Sequence, residues 1–279
     1  MLMSFGWIVG GVSGALLVVA GLLHLVPRLG PPGRAVSARL CRAPALDVVI
    51  TYFTILPLAA GPWLGARLGT GAWLGLLGGV LGQIAAVLIW TALHEAANPA
   101  ARRGPRIVKS LNRAVGPLRN HAAVWWTAWA VPIFWMCRVG EVFVYPPLTW
   151  IVGLPRYKTG DWVNVSRQKF SGLVGHDLIW CLYCDWMTGV WSLGSEMLRN
   201  VESFWCPIRF DSSKKCENCR IDFPDVENGW IPADRTIADV AARIDEMYGP
   251  EARARLPRDA KSPWFGHPAR LTVKGRPHE

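Results

Sequence analysis

The sequence predicts a mainly α-helical integral membrane protein. The expected parts are three spans, an interfacial or re-entrant hairpin, and a small cysteine-rich domain of α and irregular structure on the cytoplasmic side. Three observations lead there. The chain is 51% hydrophobic but only 18% charged, against about 25% charged in an ordinary soluble domain. The missing charge is concentrated, because residues 1–27, 48–66 and 68–94 contain no Asp, Glu, Lys or Arg. Finally, five of the seven cysteines fall between residues 181 and 219.

Uncharged apolar runs of this length read as membrane spans. Residues 1–26 form the first, read as retained. No basic segment precedes its apolar core, and no small-residue cleavage site follows cleanly, as a secretory signal would require. It carries Gly10-x-x-x-Gly14. Residues 47–95 form a helical hairpin. Its first arm holds Pro57 and Pro62 and is expected to kink. Its second arm has Gly71, Gly75 and Gly79 at four-residue spacing, which lets helix backbones approach closely in lipid.

Orientation follows from Lys and Arg in the short loops. Arg28, Arg34, Arg39 and Arg42 fill the segment 27–46. Arg102, Arg103, Arg106, Lys109, Arg113 and Arg119 fill the segment 96–120, whereas Arg67 stands alone in the loop between the hairpin arms. The two basic segments are therefore expected on the cytoplasmic side, where anionic lipid favours them. The net charge of +10 is accounted for in this way. No nucleic-acid motif accompanies it, so nucleic acid is not an expected partner.

Residues 121–156 are apolar and rich in Trp. Arg138 and Glu141 interrupt them, and Pro132, Pro146 and Pro147 break them. Neither half is long enough to span. Both flanks are basic, so an interfacial or re-entrant hairpin returning to the same side is the expectation, with a fourth crossing as the alternative.

Residues 157–249 are expected to form the cysteine-rich domain. A strand is expected around 161–165 and a helix from about 173 to 203, with Pro207 beyond it. Four cysteines form two C-x-x-C pairs, Cys181/Cys184 and Cys216/Cys219, separated by 31 residues. The first pair lies on the expected helix, where positions i and i+3 are neighbours. The second lies in a polar, turn-rich stretch like a metal knuckle. Soft thiolates suit zinc or an iron–sulfur cluster. Cys206 and His176 are spare ligands. The text "WCLYC" resembles the W-C-x-x-C of thioredoxin-like proteins over five residues, but the strands which that fold needs are missing after 219.

Other groups are candidates for acid–base work. His176, Asp185 and Glu196 are expected to line one polar cleft. His24 and His94 sit near the same ends of spans one and three, a spacing that suits a haem or metal between helices. Thr236 and Asp239 form a capping box that starts a helix. Ile237, Val240, Ala241, Ile244 and Met247 make its apolar stripe, and Gly249 and Pro250 stop it. Residues 250–279 read as a disordered basic tail.

The functional expectation is a membrane-anchored, cysteine-rich metalloprotein (zinc or iron–sulfur) at the cytoplasmic face of the inner or plasma membrane. Electron transfer with a membrane partner is its expected work if it holds a cluster. The rivals are a non-catalytic accessory subunit of a larger membrane complex and a membrane-surface lipid-modifying enzyme. The expected partners are the bilayer and other membrane subunits.

Overall fold

Glycine spacing sets the arrangement of the first ninety-odd residues in the computed structural model, which describes residues 2–209, 229–255, 272–273 and 276–277. Helix α1 (Leu2–Leu25) runs into α2 (Gly30–Leu40) through a 3-10 turn. Then α3 (Ala45–Thr54) and α4 (Leu56–Arg67) form one arm, bent by 44°. Helix α5 (Ala72–Ala97) returns along it. Pro57, in the first turn of α4, lacks the N–H that would continue the α3 ladder, so the expected kink falls just before it.

The bundle packs backbone on backbone. A Cβ on Gly61, Gly65, Gly75 or Gly79 would collide with a carbonyl oxygen of the facing arm. Lipid offers no hydrophobic drive for helix association, so contact has to come from this close approach. On the other side of α5, Gly78 and Gly82 receive Ile8 and Val12 of α1. Ser13 donates a hydrogen bond to the Gly82 carbonyl (3.0 Å). The expected glycine pair of α1 is not part of this contact, since nothing lies within 4 Å of a Cβ built on Gly10 or Gly14. Helices α1 and α5 run parallel, with Ile8 at Gly78, Val12 at Gly82 and His24 at His94.

Three helical stretches are long and apolar enough to cross a membrane: Leu2–Leu40, Ala72–Ala97 and Pro117–Ile151. The bent pair α3–α4 makes a fourth if it counts as one span. The third stretch differs from the expected hairpin. It is one helical run made of α8 (Pro117–Trp126), a 3-10 turn, α9 (Val131–Val139), a π turn at Gly140–Val144 and α10 (Tyr145–Ile151). Each proline that suggested a break is absorbed where the ladder changes pitch. Pro132 follows the 3-10 turn, and Pro146 and Pro147 follow the π turn. Between α5 and this run lie α6 (Pro99–Arg103) and α7 (Ile107–Val115).

Past residue 157 the expected strand is replaced by a helical turn, α11 (Thr159–Trp162). An isolated bridge of Asn164 with Arg42 follows it, with the Ala43 N–H on the Val163 carbonyl at 2.9 Å. Two residues of pairing satisfy the backbone there without a sheet. Helix α12 (Gly175–Trp205) is continuous for 31 residues, close to the expected bounds. Helix α13 (Ile237–Tyr248) starts on the expected capping box, with both reciprocal bonds between Thr236 and Asp239 formed. Of its stripe Val240 is buried, while Ile237 is exposed. Pro250 does not end helical structure but opens a short α14 (Pro250–Arg255). Most of the remaining expected tail lies outside the described residues, as do Cys216 and Cys219.

The chain divides into two compact units. One comprises residues 1–134 and 158–190, the other residues 135–157 and 191–279.

Candidate functional site

In the first unit, the beginning of α12 is built into the end of α5. Gly175 has a φ of +52°, a region that favours glycine. A Cβ on it would lie 2.5 Å from the Glu95 side chain. Its N–H donates to His94 Nδ1 (3.1 Å), and the His176 N–H donates to the Glu95 carboxylate. The first free amides of the helix are thus capped by two consecutive residues of a neighbouring helix.

Arg106 completes the junction. Its Nε donates to Asp177 Oδ2 (2.7 Å), and one Nη2 serves both Glu95 Oε1 (2.8 Å) and the Val174 carbonyl (3.2 Å). Asp177 Oδ1 also accepts the Val108 N–H (2.9 Å). Arg106 and Asp177 are both buried. Burial opposes the guanidinium charge, and the two carboxylates more than offset it, so Arg106 is held above its ordinary pKa. Glu95 also meets the more exposed Arg102 (3.9 Å), and the positive end of the α12 dipole favours both carboxylates.

One face of α12 carries aromatic and imidazole groups. Trp180 donates its indole N–H to His176 Nε2 (3.1 Å). An indole nitrogen can only donate, so the His176 lone pair is at Nε2 and its proton at Nδ1. The His121 ring meets His176 edge-on with centroids 5.0 Å apart. Burial, then the neighbouring His121, push His176 below the usual imidazole range. Trp125 stands edge-on to Trp180, and Tyr183 donates to the Thr127 carbonyl (2.9 Å). Burial pushes the Tyr183 phenol up to about 12.

The thiols occupy another face. Cys181 and Cys184 are half-buried and not in a disulfide. The Arg167 guanidinium lies beside both. It is held beside them by Asp185, which accepts the Ser166 N–H (2.7 Å) and the Arg167 N–H (3.2 Å). Burial pushes the Cys181 thiol up, against the pull of Arg167. The pair is half of a four-thiolate set. The other half, Cys216 and Cys219, is outside the described residues. Among the described residues, no group of three or more His, Cys, Asp and Glu is arranged to hold a metal ion.

The spare ligands sit differently from expectation. Cys206 is exposed and follows the last turn of α12, 22 residues after Cys184 (206 − 184). His176 points its lone pair at Trp180 rather than at the thiols.

His24 and His94 do come together, as their depth suggested. They stack ring on ring at 5.0 Å, and Trp90 stacks on both. His94 Nδ1 is occupied by the Gly175 N–H, so its proton is on Nε2 and neither nitrogen offers a lone pair to an ion. Of the expected cleft of His176, Asp185 and Glu196, the first two do not share a helix face. On one continuous helix His176 and Asp185 are nine positions apart, about two and a half turns, and so face opposite ways.

The second unit holds a separate polar cluster. Arg138 and Glu141 form a buried ion pair (2.6 Å) on the helical run 117–151. Tyr157 donates to Glu196 Oε1 (2.9 Å), and Asn200 Nδ2 donates to the Tyr157 and Tyr145 hydroxyls (2.5 and 3.3 Å). Burial, then the Glu196 charge, push Tyr157 far above the usual phenol range. Nearby, Trp230 donates to Ser203 (3.1 Å), and Arg199, paired with Glu202, lies over the Trp230 ring.

Sequence reasoning missed Arg106, Arg167 and Tyr157. Arg106 is one of six cations in its segment, and no spacing sets it apart. The run of Asp177, Cys181, Cys184 and Asp185 was legible as helical neighbours, but not the arginines that meet it. No protein-family model matches the chain, and comparisons with curated proteins and with solved structures give no match.

Proposed function

We propose that the chain is a multi-pass membrane protein that holds zinc or an iron–sulfur cluster through Cys181 and Cys184, with Cys216 and Cys219 as the second pair. The observation that carries this is the thiol pair on successive turns of α12, unbridged and facing Arg167. A guanidinium beside two sulfurs favours the thiolate that a metal needs. Bound zinc would brace the domain, and a cluster would supply one-electron transfer with a membrane partner.

Sidedness supports a domain on the face that bears the basic loops. The His24–His94 stack puts the ends of α1 and α5 together. The Ala43–Val163 bond ties residue 163 to the segment that leaves α1 and enters α3. A crossing by Pro117–Ile151 would have to be undone between residues 152 and 162, where the longest helix has four residues. A bilayer core does not accept unpaired lipid-exposed backbone. We therefore read the 117–151 run as lying at the interface, and residues 157–249 as cytoplasmic.

The test is metal analysis and visible and EPR spectroscopy of the full chain purified without oxygen. Each single Cys→Ser change at 181, 184, 216 and 219 should lower metal content, and loading should rise with pH because the Cys181 proton must leave. Unchanged metal content in all four variants rules the site out. A reporter fused after residue 230 that is active only outside the cell rules out the sidedness.

A second reading, an accessory subunit, rests on the bare Gly10 and Gly14 of α1. Small residues at this spacing seat a partner helix. Gly10→Leu with Gly14→Leu should then release a co-purifying membrane protein, and no change in composition would exclude it.

A further inference from the structure

Helix α7 is amphipathic, and its apolar edge is uncovered. Ile107, Leu111 and Val115 follow at four-residue spacing and are about half exposed (48%, 43% and 50%). Leu118, just past the turn at Gly116, is also exposed. On a helix of this pitch Ile107, Val108, Leu111, Ala114 and Val115 share one arc, and Lys109, Ser110, Asn112 and Arg113 the other. The cations Arg102, Arg103, Lys109, Arg113 and Arg119 are exposed around it. Between Glu95 and Glu141 the sequence has no Asp or Glu.

The position of α7 points to what covers that edge. Its N-terminal side is pinned to the end of α5 through Arg106 on Glu95, and to the start of α12 through the Val108 N–H on Asp177. Helix α5 is one of the stretches long and apolar enough to span, so α7 leaves the bundle at membrane depth. The His24–His94 stack brings the end of α1 to the same level. The segment that follows α1 carries Arg34 and Arg39, both exposed, and has no acidic residue before Asp47.

We propose that α7 is an in-plane helix that binds anionic phospholipid. Its Ile107–Leu111–Val115 edge enters the acyl boundary, and Lys109 and Arg113 hold headgroup phosphates with Arg102, Arg103 and Arg119. Apolar insertion and cation–phosphate attraction act together in such helices, and each cation near an anionic surface adds about fivefold in affinity at low salt. The junction at Arg106 fixes the helix so that both act on one lipid shell.

The experiment uses the full chain reconstituted in phosphatidylcholine containing a trace of spin-labelled phosphatidylglycerol or spin-labelled phosphatidylcholine. The motionally restricted fraction of each label gives the relative association constant. The wild-type protein should prefer phosphatidylglycerol, with a preference that weakens as salt is added. Lys109→Gln with Arg113→Gln should lower it at least about fivefold, at unchanged helicity by circular dichroism. Leu111→Glu should lower it as well. A protein without the preference, or a double variant that keeps it, overturns the proposal. So does a Leu111→Glu variant that keeps its lipid preference but loses a cross-linked protein partner, because the edge would then be a subunit contact.

Discussion

The two halves of α5 are held by opposite means. From Gly75 to Gly82 the helix touches α4 and α1 through bare backbone, and the one side-chain hydrogen bond across to α1 there is that of Ser13. From Trp90 to Glu95 it is held by stacked rings, a buried guanidinium and a capped helix start. The first half sits where lipid would surround it and burial of apolar area contributes little to association. The second sits where the chain turns out of the bundle and polar groups must be satisfied. Shape is the currency of one region and charge of the other.

The largest effect is expected at the charged end. Arg106→Ala leaves the buried Asp177 without its cation and Glu95 with the exposed Arg102 alone, and breaking a buried pair from one side costs about 3–5 kcal/mol. Thermal unfolding of the full chain in detergent should show the loss of a cooperative unit at lower temperature. Arg106→Lys should recover only part, since an ammonium cannot reproduce the fork that reaches Asp177, Glu95 and Val174. An Arg106→Ala protein as stable as wild type would show the junction to be decorative.

At the glycine end the expected loss is smaller. Gly75→Val drives a side chain into the Gly61 carbonyl and the Gly65 Cα of α4, and overpacking costs about 1–3 kcal/mol. Gly10→Val, on the same kind of residue but with open space around it, should be nearly silent in the isolated chain. The pair of variants separates helix propensity from contact, and equal losses would refute the backbone-on-backbone account.

The contrast also explains what the sequence disclosed. Spans are written in composition, so α1, the bent α3–α4 arm and α5 were readable from uncharged runs and from Pro57. The Thr236–Asp239 cap and the extent of α12 are local and were readable too. The 117–151 run was not, because its prolines suggest breaks and only the ladder's change of pitch absorbs them. The thiol pair was visible as a spacing. Arg167, which faces it, lies on the preceding loop, and the bond that turns His94 away from ligand duty comes from Gly175, 81 positions off; neither leaves a trace in a local helical pattern.

Ser13→Ala sharpens the comparison at low energy. The change removes the hydrogen bond to the Gly82 carbonyl and leaves the packing in place. Interhelical hydrogen bonds of this kind average about 0.6 kcal/mol in a membrane. Its effect should therefore fall well below that of Gly75→Val, and a larger loss would mean that polar contact, not close approach, holds α1 on α5.

Acid is the last means of separating the two ends. His176 has its pKa lowered by burial and by His121, while the unfolded chain takes up its proton near 6.5. The unfolded state thus binds more protons once pH falls to that value, and the folded state loses stability. The contribution is fully present above about 6.5 and declines as pH drops through it toward the lower folded value. The glycine interface holds no group that titrates in this range. Melting in detergent should therefore shift downward with acid for the wild type, and less so for His176→Gln, whose amide can still accept the Trp180 N–H. The Gly75→Val variant should keep the full acid shift on top of its own loss, because its defect lies in a region without protons to exchange. If His176→Gln leaves the acid shift whole, the response belongs to other groups, and the imidazole pair is not the pH-sensitive element of the charged end.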